Sequence, residues 1–211
     1  MAALYLSQAR NASSVHDCMS IYEKWAATYN NEVNDEAQLY VAPLLVAQVA
    51  VQSSRNPAKS TMLDAGCGTG LVGQALVTLG AKTIDGLDLS TAMLTVAKQT
   101  GVYRALAQAD MTQRIDMADE TYDVVTCVGT FTLGHVGPDP ALRELVRITK
   151  KNGTIVATIL EEIWIPGGFK AEVEKLEAEG LVTVDVQDYI DYVKGHGDKA
   201  MMIVLKKAER A

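Results

Sequence analysis

The sequence predicts an α/β protein: a doubly wound, mostly parallel seven-stranded sheet with an antiparallel C-terminal hairpin and a helical N-terminal lid. Three observations predict it. From Thr61 onward, short apolar runs alternate with helical segments of ~10 residues, the pattern of βαβ units. The last two apolar runs, Leu181 to Tyr189 and Ala200 to Lys206, are separated only by the turn-like KGHGD, so no crossover helix fits and the pair must be antiparallel. Residues 1–57 read as helices, with no β-branched alternation.

Taken in order, two helices precede the sheet, Val15 to Tyr29 and Asp35 to Gln52. The second is expected to kink or split at Pro43, because proline removes a helical donor and crowds the preceding turn. SSRNPAKS, rich in Ser, Asn and Pro, reads as a linker. TMLDA is the first strand. Gly70 to Leu79 is a helix with Leu71, Ala75, Leu76 and Leu79 on one face, ended by Gly80. TIDGLDL is the second strand; Ser90 caps the next helix, which runs to Gln99 and is closed by Gly101. Tyr103 to Ala109 is the third strand. TYDVVTCVGT, a continuous apolar run, is a fourth strand buried on both faces. Pro140 to Lys150 is a helix ended near Gly153, GTIVATIL a fifth strand, and Phe169 to Glu179 a helix ended by Gly180. The chain thus divides into a helical lid or extension, residues 1–57, and a core, residues 58–211, within one domain overall. Ligands of such sheets bind beyond the carboxyl ends of the strands, where strand order reverses. The lid helices are long enough to fold over that mouth.

The chain has 211 residues, 48% of them apolar, enough for one sizeable core. No stretch approaches the ~20 apolar residues of a membrane span, and the opening MAALYLSQAR lacks the basic region of a secretory signal. Cys18, Cys67 and Cys127 are odd in number and widely spaced. They argue against a disulfide framework or a structural zinc site and for a reducing, cytoplasmic setting. A net charge of -7 disfavours nucleic-acid binding. The one basic cluster, Arg143, Arg147, Lys150 and Lys151, has helical spacing and reads as a solvated face and helix C-terminus. The expected partner is a small molecule; the oligomeric state is left open.

The stretch LDAGCGTGLVG, Leu63 to Gly73, admits two readings. Gly68-x-Gly70-x-x-Gly73 is a dinucleotide fingerprint, which points to a nicotinamide-dependent oxidoreductase. Asp64-x-Gly66-x-Gly68-x-Gly70 belongs to a different cofactor loop. A carboxylate at the strand end repels a diphosphate and favours an ammonium or sulfonium, so Asp64 discriminates between them. Asp88, twenty residues beyond Gly68, suits a ribose hydroxyl pair in either reading. Asp110, closing the third strand in AQADM, can accept from an exocyclic amine. Small residues and a glycine end the fourth strand. These strand ends suit an amino acid, a ribose and an adenine, and offer no phosphate clamp; together they describe S-adenosylmethionine.

LDAGCGTG, DGLDLS, AQADM, YDVVTCVGTFTLGHV and LVRITKKNGTIVATI occur in the order and at the spacing of the class I S-adenosylmethionine-dependent methyltransferases, which the chain resembles over most of its length. YEKWAATYNNEV and IWIPGGFKAEVEKLEAEGL resemble a finer group, the small methyltransferase-like proteins named after the Williams–Beuren chromosomal region. The resemblance implies a Rossmann-like fold, S-adenosylmethionine as cofactor and S-adenosylhomocysteine as product. It also implies roles. Asp64, Gly66 and Gly68 surround the methionine part; Asp88 holds the ribose hydroxyls with Leu89 beside the adenine. Asp110 takes the adenine amine and the Met111 backbone a ring nitrogen. Cys127, Val128 and Gly129 line the methionine side. Tyr22, Trp25 and Tyr29 close the lid, although their spacing alone suits ordinary helix packing equally well.

Methyl transfer needs the nucleophile aligned, and a general base only for a hydroxyl or a protonated amine. His135, in TLGHV past the fourth strand, is the candidate base or substrate contact. The alternative is a loop histidine bonded to a backbone carbonyl. Glu161 and Glu162 follow the fifth strand and either contact a substrate or lie solvated there, the latter being favoured. Trp164 either walls the substrate side or packs on the next helix. Cys67 reads as a small filler. The expected function is transfer of a methyl group to oxygen or nitrogen of a small, partly hydrophobic molecule. A cofactor-binding protein of the same fold without methyl transfer is the alternative.

Overall fold

The structure, a computed structural model, describes residues 8, 20, 21, 23–26, 28, 29 and 39–209. Tyr22, residues 15–19 and 27 of the helix expected over residues 15–29, and the start of that expected from residue 35 lie outside the described residues. Residues 20, 21, 23–25 and 29 are helical.

α1 spans Ala42–Ser53. It starts later than the sequence suggested and does not kink, because Pro43 occupies its first turn, where a missing N–H costs nothing. Just before it, Tyr40 bridges Val193, and Val41 N donates to Tyr192 O at 3.1 Å. Ala42, Val46, Ala47 and Ala50 are fully buried. These small side chains let α1 lie directly on the sheet.

The sheet follows from seven strands: β1 (Thr61–Ala65), β2 (Thr83–Asp88), β3 (Ala105–Gln108), β4 (Tyr122–Phe131), β5 (Thr149–Leu160), β6 (Val182–Val193) and β7 (Asp198–Lys207). Their order is β3-β2-β1-β4-β5-β7-β6, parallel through β5 and antiparallel at β5–β7 and β7–β6. The strand order reverses at β1 and β4, which places the switch point beside the glycine turn. β1 reads iBBBB in burial and β4 is buried over most of its length, as expected for strands covered on both faces.

The connecting helices are α2 (Leu71–Thr78), α3 (Thr91–Gln99), α4 (Ala141–Ile148), the single turn α5 (Glu161–Trp164) and α6 (Phe169–Ala178). Ser90 caps α3 as predicted, its side chain accepting from Met93 N at 3.2 Å. The buried face of α2 is Val72, Gly73 and Leu76, while Ala75 and Leu79 pack only partly. Leu71 turns toward the mouth of the sheet. α4 stops at Ile148, not Lys150, and β5 begins at once. The Lys207 ammonium donates to the carbonyls of Arg147 (3.3 Å) and Thr149 (2.9 Å), capping that helix end with charge. β3 begins at Ala105, not at Tyr103, whose hydroxyl instead donates to Asp64 Oδ2 at 2.7 Å.

Two apolar clusters cover the faces. One unites Phe131, Leu145, Trp164, Phe169 and Leu176; the other unites α1 and α2 with Met62, Ile84 and Val156. Among the described residues, no helix is long and apolar enough to cross a membrane.

Candidate functional site

A cavity opens beyond the carboxyl ends of β1, β2, β3 and β4. The turn Gly66–Thr69 forms one wall, Leu87–Leu89 and Ala109–Thr112 a second, Val128–Thr130 with His135 and Val136 a third, and Tyr29, Tyr40 and Pro43 the roof.

Each element is placed by local chemistry. Gly66 (φ +70°) leaves β1 against β4, and a side chain there would overlap the Thr130 hydroxyl. Gly129 has φ +80°, and a Cβ on it would meet the hydroxyls of Tyr40 (3.0 Å) and Tyr192 (3.4 Å). Asp88 ends β2. Its Oδ2 accepts from Gly68 N and its Oδ1 from Ser90 N, both at 2.8 Å. Burial pushes this carboxyl above the usual range, and those backbone donors oppose the shift. Asp110 is fixed through Oδ1, which accepts from Thr112 N (2.8 Å) and Thr112 Oγ1 (2.7 Å).

The Gly68–Asp88 bond decides between the two readings of the glycine turn. In a dinucleotide site the turn's N–H groups face the diphosphate. Here the Gly68 amide is taken by a carboxylate, and Gly70 N donates to Cys67 O at 2.9 Å. Among the described residues, no Lys or Arg lines the cavity. Two of the turn's N–H groups are therefore committed within the protein and not turned toward a phosphate.

His135 lines the same cavity. Its Nδ1 lies 2.8 Å from the Leu133 carbonyl and 2.6 Å from Thr132 Oγ1. A carbonyl only accepts, so Nδ1 carries the proton and Nε2 is the basic nitrogen. Burial lowers the pKa below its ordinary value, keeping the ring neutral near pH 7.

The structure thus brings Tyr29, Gly66, Gly68, Asp88, Leu89, Asp110, Met111, Val128, Gly129 and His135 to one cavity. It leaves others elsewhere. Asp64 is fully buried beneath the turn and points onto the sheet face, accepting from the Tyr103 hydroxyl at 2.7 Å. Cys127 is fully buried, with burial pushing its thiol up to about 12. Trp25 is buried behind the roof with its ring 4.6 Å from that of Tyr29, so it supports the lining rather than forming it. Glu161 is exposed and outside the lining, and Trp164 is 2% exposed within the core beside Phe169, packing on the following helix. Cys67 does line the cavity, but burial and the nearby Asp64 charge hold its thiol protonated. The close neighbour of Gly73 is the Tyr103 ring.

Sequence reasoning missed Tyr40, Thr69, Met93, Thr112 and Thr130 in the lining. Thr112 carried a signal, because Asp-x-Thr favours a side-chain-closed turn. Tyr40 carried none: its place depends on a bridge to Val193, far away in sequence.

Comparison with known proteins shows the family. A methyltransferase domain family matches residues 63–157. Human methyltransferase-like protein 27 is 31% identical over 168 residues, covering 77% of this chain and 67% of that protein. The ubiquinone biosynthesis O-methyltransferase of Aliivibrio fischeri (strain ES114) is 36% identical over 105 residues, 47% of this chain and 43% of that protein. Among solved structures, a TehB-like SAM-dependent methyltransferase from Corynebacterium glutamicum superposes with TM-score 0.66 at 21% identity, over 89% of this chain and 98% of that one.

Proposed function

The chain belongs to the class I S-adenosylmethionine-dependent methyltransferases, and on that premise we propose that it methylates an oxygen or nitrogen of a small, partly hydrophobic molecule. S-adenosylmethionine supplies a methyl group already activated by a sulfonium leaving group. Gly66 and Gly68 would face its methionine part, Asp88 its ribose hydroxyls, Leu89 the adenine, and Asp110 with the Met111 backbone the adenine edge. Val128 and Gly129 complete the wall, with Tyr29 above.

The chain's own contribution is alignment and proton handling. Neutral His135, with Nδ1 committed to the Leu133 carbonyl, presents the imidazole tautomer that takes a proton from a hydroxyl through Nε2. That observation carries the reading. The roof of Tyr29, Tyr40 and Pro43 supports a partly apolar acceptor, and the absence of Lys and Arg among the described lining residues disfavours a phosphorylated one. The relative named as a ubiquinone biosynthesis O-methyltransferase supports an oxygen acceptor.

The test has two stages. Calorimetry should show binding of S-adenosylmethionine and S-adenosylhomocysteine, and no binding of nicotinamide dinucleotides. Label from methyl-tritiated S-adenosylmethionine should then pass into organic-extractable phenols or amines and not into phosphorylated compounds. Failure to bind either cofactor form would sink the proposal, as would transfer confined to phosphorylated acceptors.

A further inference from the structure

We propose that Tyr103 is a positioning residue for the cofactor loop: seated in a slot between glycines, its hydroxyl fixes the Asp64 carboxylate as an anion beneath the Gly66–Gly68 turn. This rests on the cavity being the S-adenosylmethionine site. It concerns a residue outside the cavity lining.

The slot is built by three glycines from two elements. A Cβ on Gly73 would collide with the Tyr103 hydroxyl; one on Gly70 would lie 3.1 Å from its Cε2, and one on Gly86 3.1 Å from its Cδ1. Gly70 and Gly73 are the last two glycines of the apparent dinucleotide fingerprint. Here they make room for an aromatic ring from the far side of β2. Gly86 is also the register partner of Asp64 on β2, and Thr126 its partner on β4. The carboxylate therefore lies between a position without a side chain and a hydroxyl. Tyr103 reaches it through the first and donates to Oδ2 at 2.7 Å; Thr126 Oγ1 lies 3.3 Å from Oδ1 and 3.2 Å from Leu63 O.

Among the described residues, Asp64 has no cationic neighbour to hold it ionised. The titratable groups acting on it or sensing it are Tyr103, Asp88, Cys67 and Cys127, each neutral or anionic. Burial pushes the carboxyl up to about 6, while hydrogen bonds from Tyr103, Thr126 and the Gly73 backbone pull it down. At neutral pH the balance leaves an anion directly below the turn. That anion complements a ligand bearing an ammonium group, as both forms of the cofactor do. A hydrogen bond to the ionised form is what Tyr103 supplies; without it the carboxyl keeps its proton to higher pH, and the turn loses its charge.

The experiment follows S-adenosylhomocysteine affinity by calorimetry from pH 5 to pH 8.5, in the unaltered protein and in Tyr103→Phe and Asp64→Asn. The Asp64 carboxyl carbon is titrated by NMR in the ligand-free proteins. The unaltered protein should lose affinity as Asp64 gains its proton on the acid side. In Tyr103→Phe that loss should begin at higher pH, reaching about tenfold per unit by which the carboxyl titration moves, and should vanish at the alkaline end. Asp64→Asn should lack this acid-side loss. The NMR titration of Tyr103→Phe should move upward in parallel. An affinity change in Tyr103→Phe that is the same at every pH, or an unmoved Asp64 titration, overturns the proposal. Failure of the unaltered protein to bind at any pH overturns the cofactor reading as well, which separates the two failures.

Discussion

The Tyr40 hydroxyl donates to the Tyr192 hydroxyl at 3.1 Å, and the two rings meet edge to face with centroids 5.0 Å apart. One residue precedes the first sheet-covering helix; the other sits near the end of β6. Their hydroxyls approach Gly129, so the pair ties the cavity roof to the C-terminal hairpin. A double-mutant cycle of Tyr40→Phe and Tyr192→Phe should return a coupling of about 0.5–1.5 kcal/mol in urea unfolding. A coupling of zero would mean that the hydroxyl pair adds nothing to the ring contact and the backbone bridge between roof and hairpin.

Asp88 holds the turn through Gly68 N and faces the cavity. Asp88→Ala should weaken S-adenosylhomocysteine binding by about 1.5–3 kcal/mol, the scale of a hydrogen bond to a charged group. Calorimetry reads this directly. Unchanged affinity would place the ribose away from β2.

Burial depresses the His135 pKa, and a base must be neutral to act. Transfer to a hydroxyl acceptor should therefore stay constant through neutral pH and decline only on the acid side of the ordinary histidine value near 6.5. His135→Gln should slow that transfer by about 10²–10⁴-fold while leaving cofactor affinity nearly unchanged. NMR titration of the ring should give a midpoint below 6.5. A midpoint above it would rule out this form of the base.

Trp164 and Glu161 are near neighbours in sequence with different fates. Trp164→Ala removes a core side chain and should cost about 3–5 kcal/mol of stability. Glu161→Gln is a surface change and should stay within about 0.5 kcal/mol. Thermal and denaturant unfolding of both variants tests the assignment. A stable Trp164→Ala protein with altered acceptor KM would return that residue to the site.

The strand ends were the legible part. Asp88 and Asp110 close apolar runs, so their side chains had to emerge at the mouth of a doubly wound sheet. The final hairpin followed from the missing crossover. Asp64 misled because it sits one residue short of its strand's end. Alternation sends it to the face shared with Met62, not into the mouth. Pro43 misled in the same local way: a proline in an apolar run reads as a kink unless the helix start is known. Tyr103, Tyr40 and Tyr192 were illegible because each acts through a partner that no local period connects.

β7 lies between β5 and β6 in the sheet, and among the described residues β6 has β7 as its one partner strand, apart from the single Tyr40–Val193 bridge. On the ribosome β6 is made first and has no strand to join. Tyr192 is therefore synthesised before the strand that joins β6 to the rest of the sheet. The glycine turn, Asp88 and Asp110 are all synthesised long before that moment. A chain stalled between the two strands of the hairpin would display an open trough with its carboxylates in place, and the act that converts the trough into a closed binding site is the emergence of the C-terminal strand.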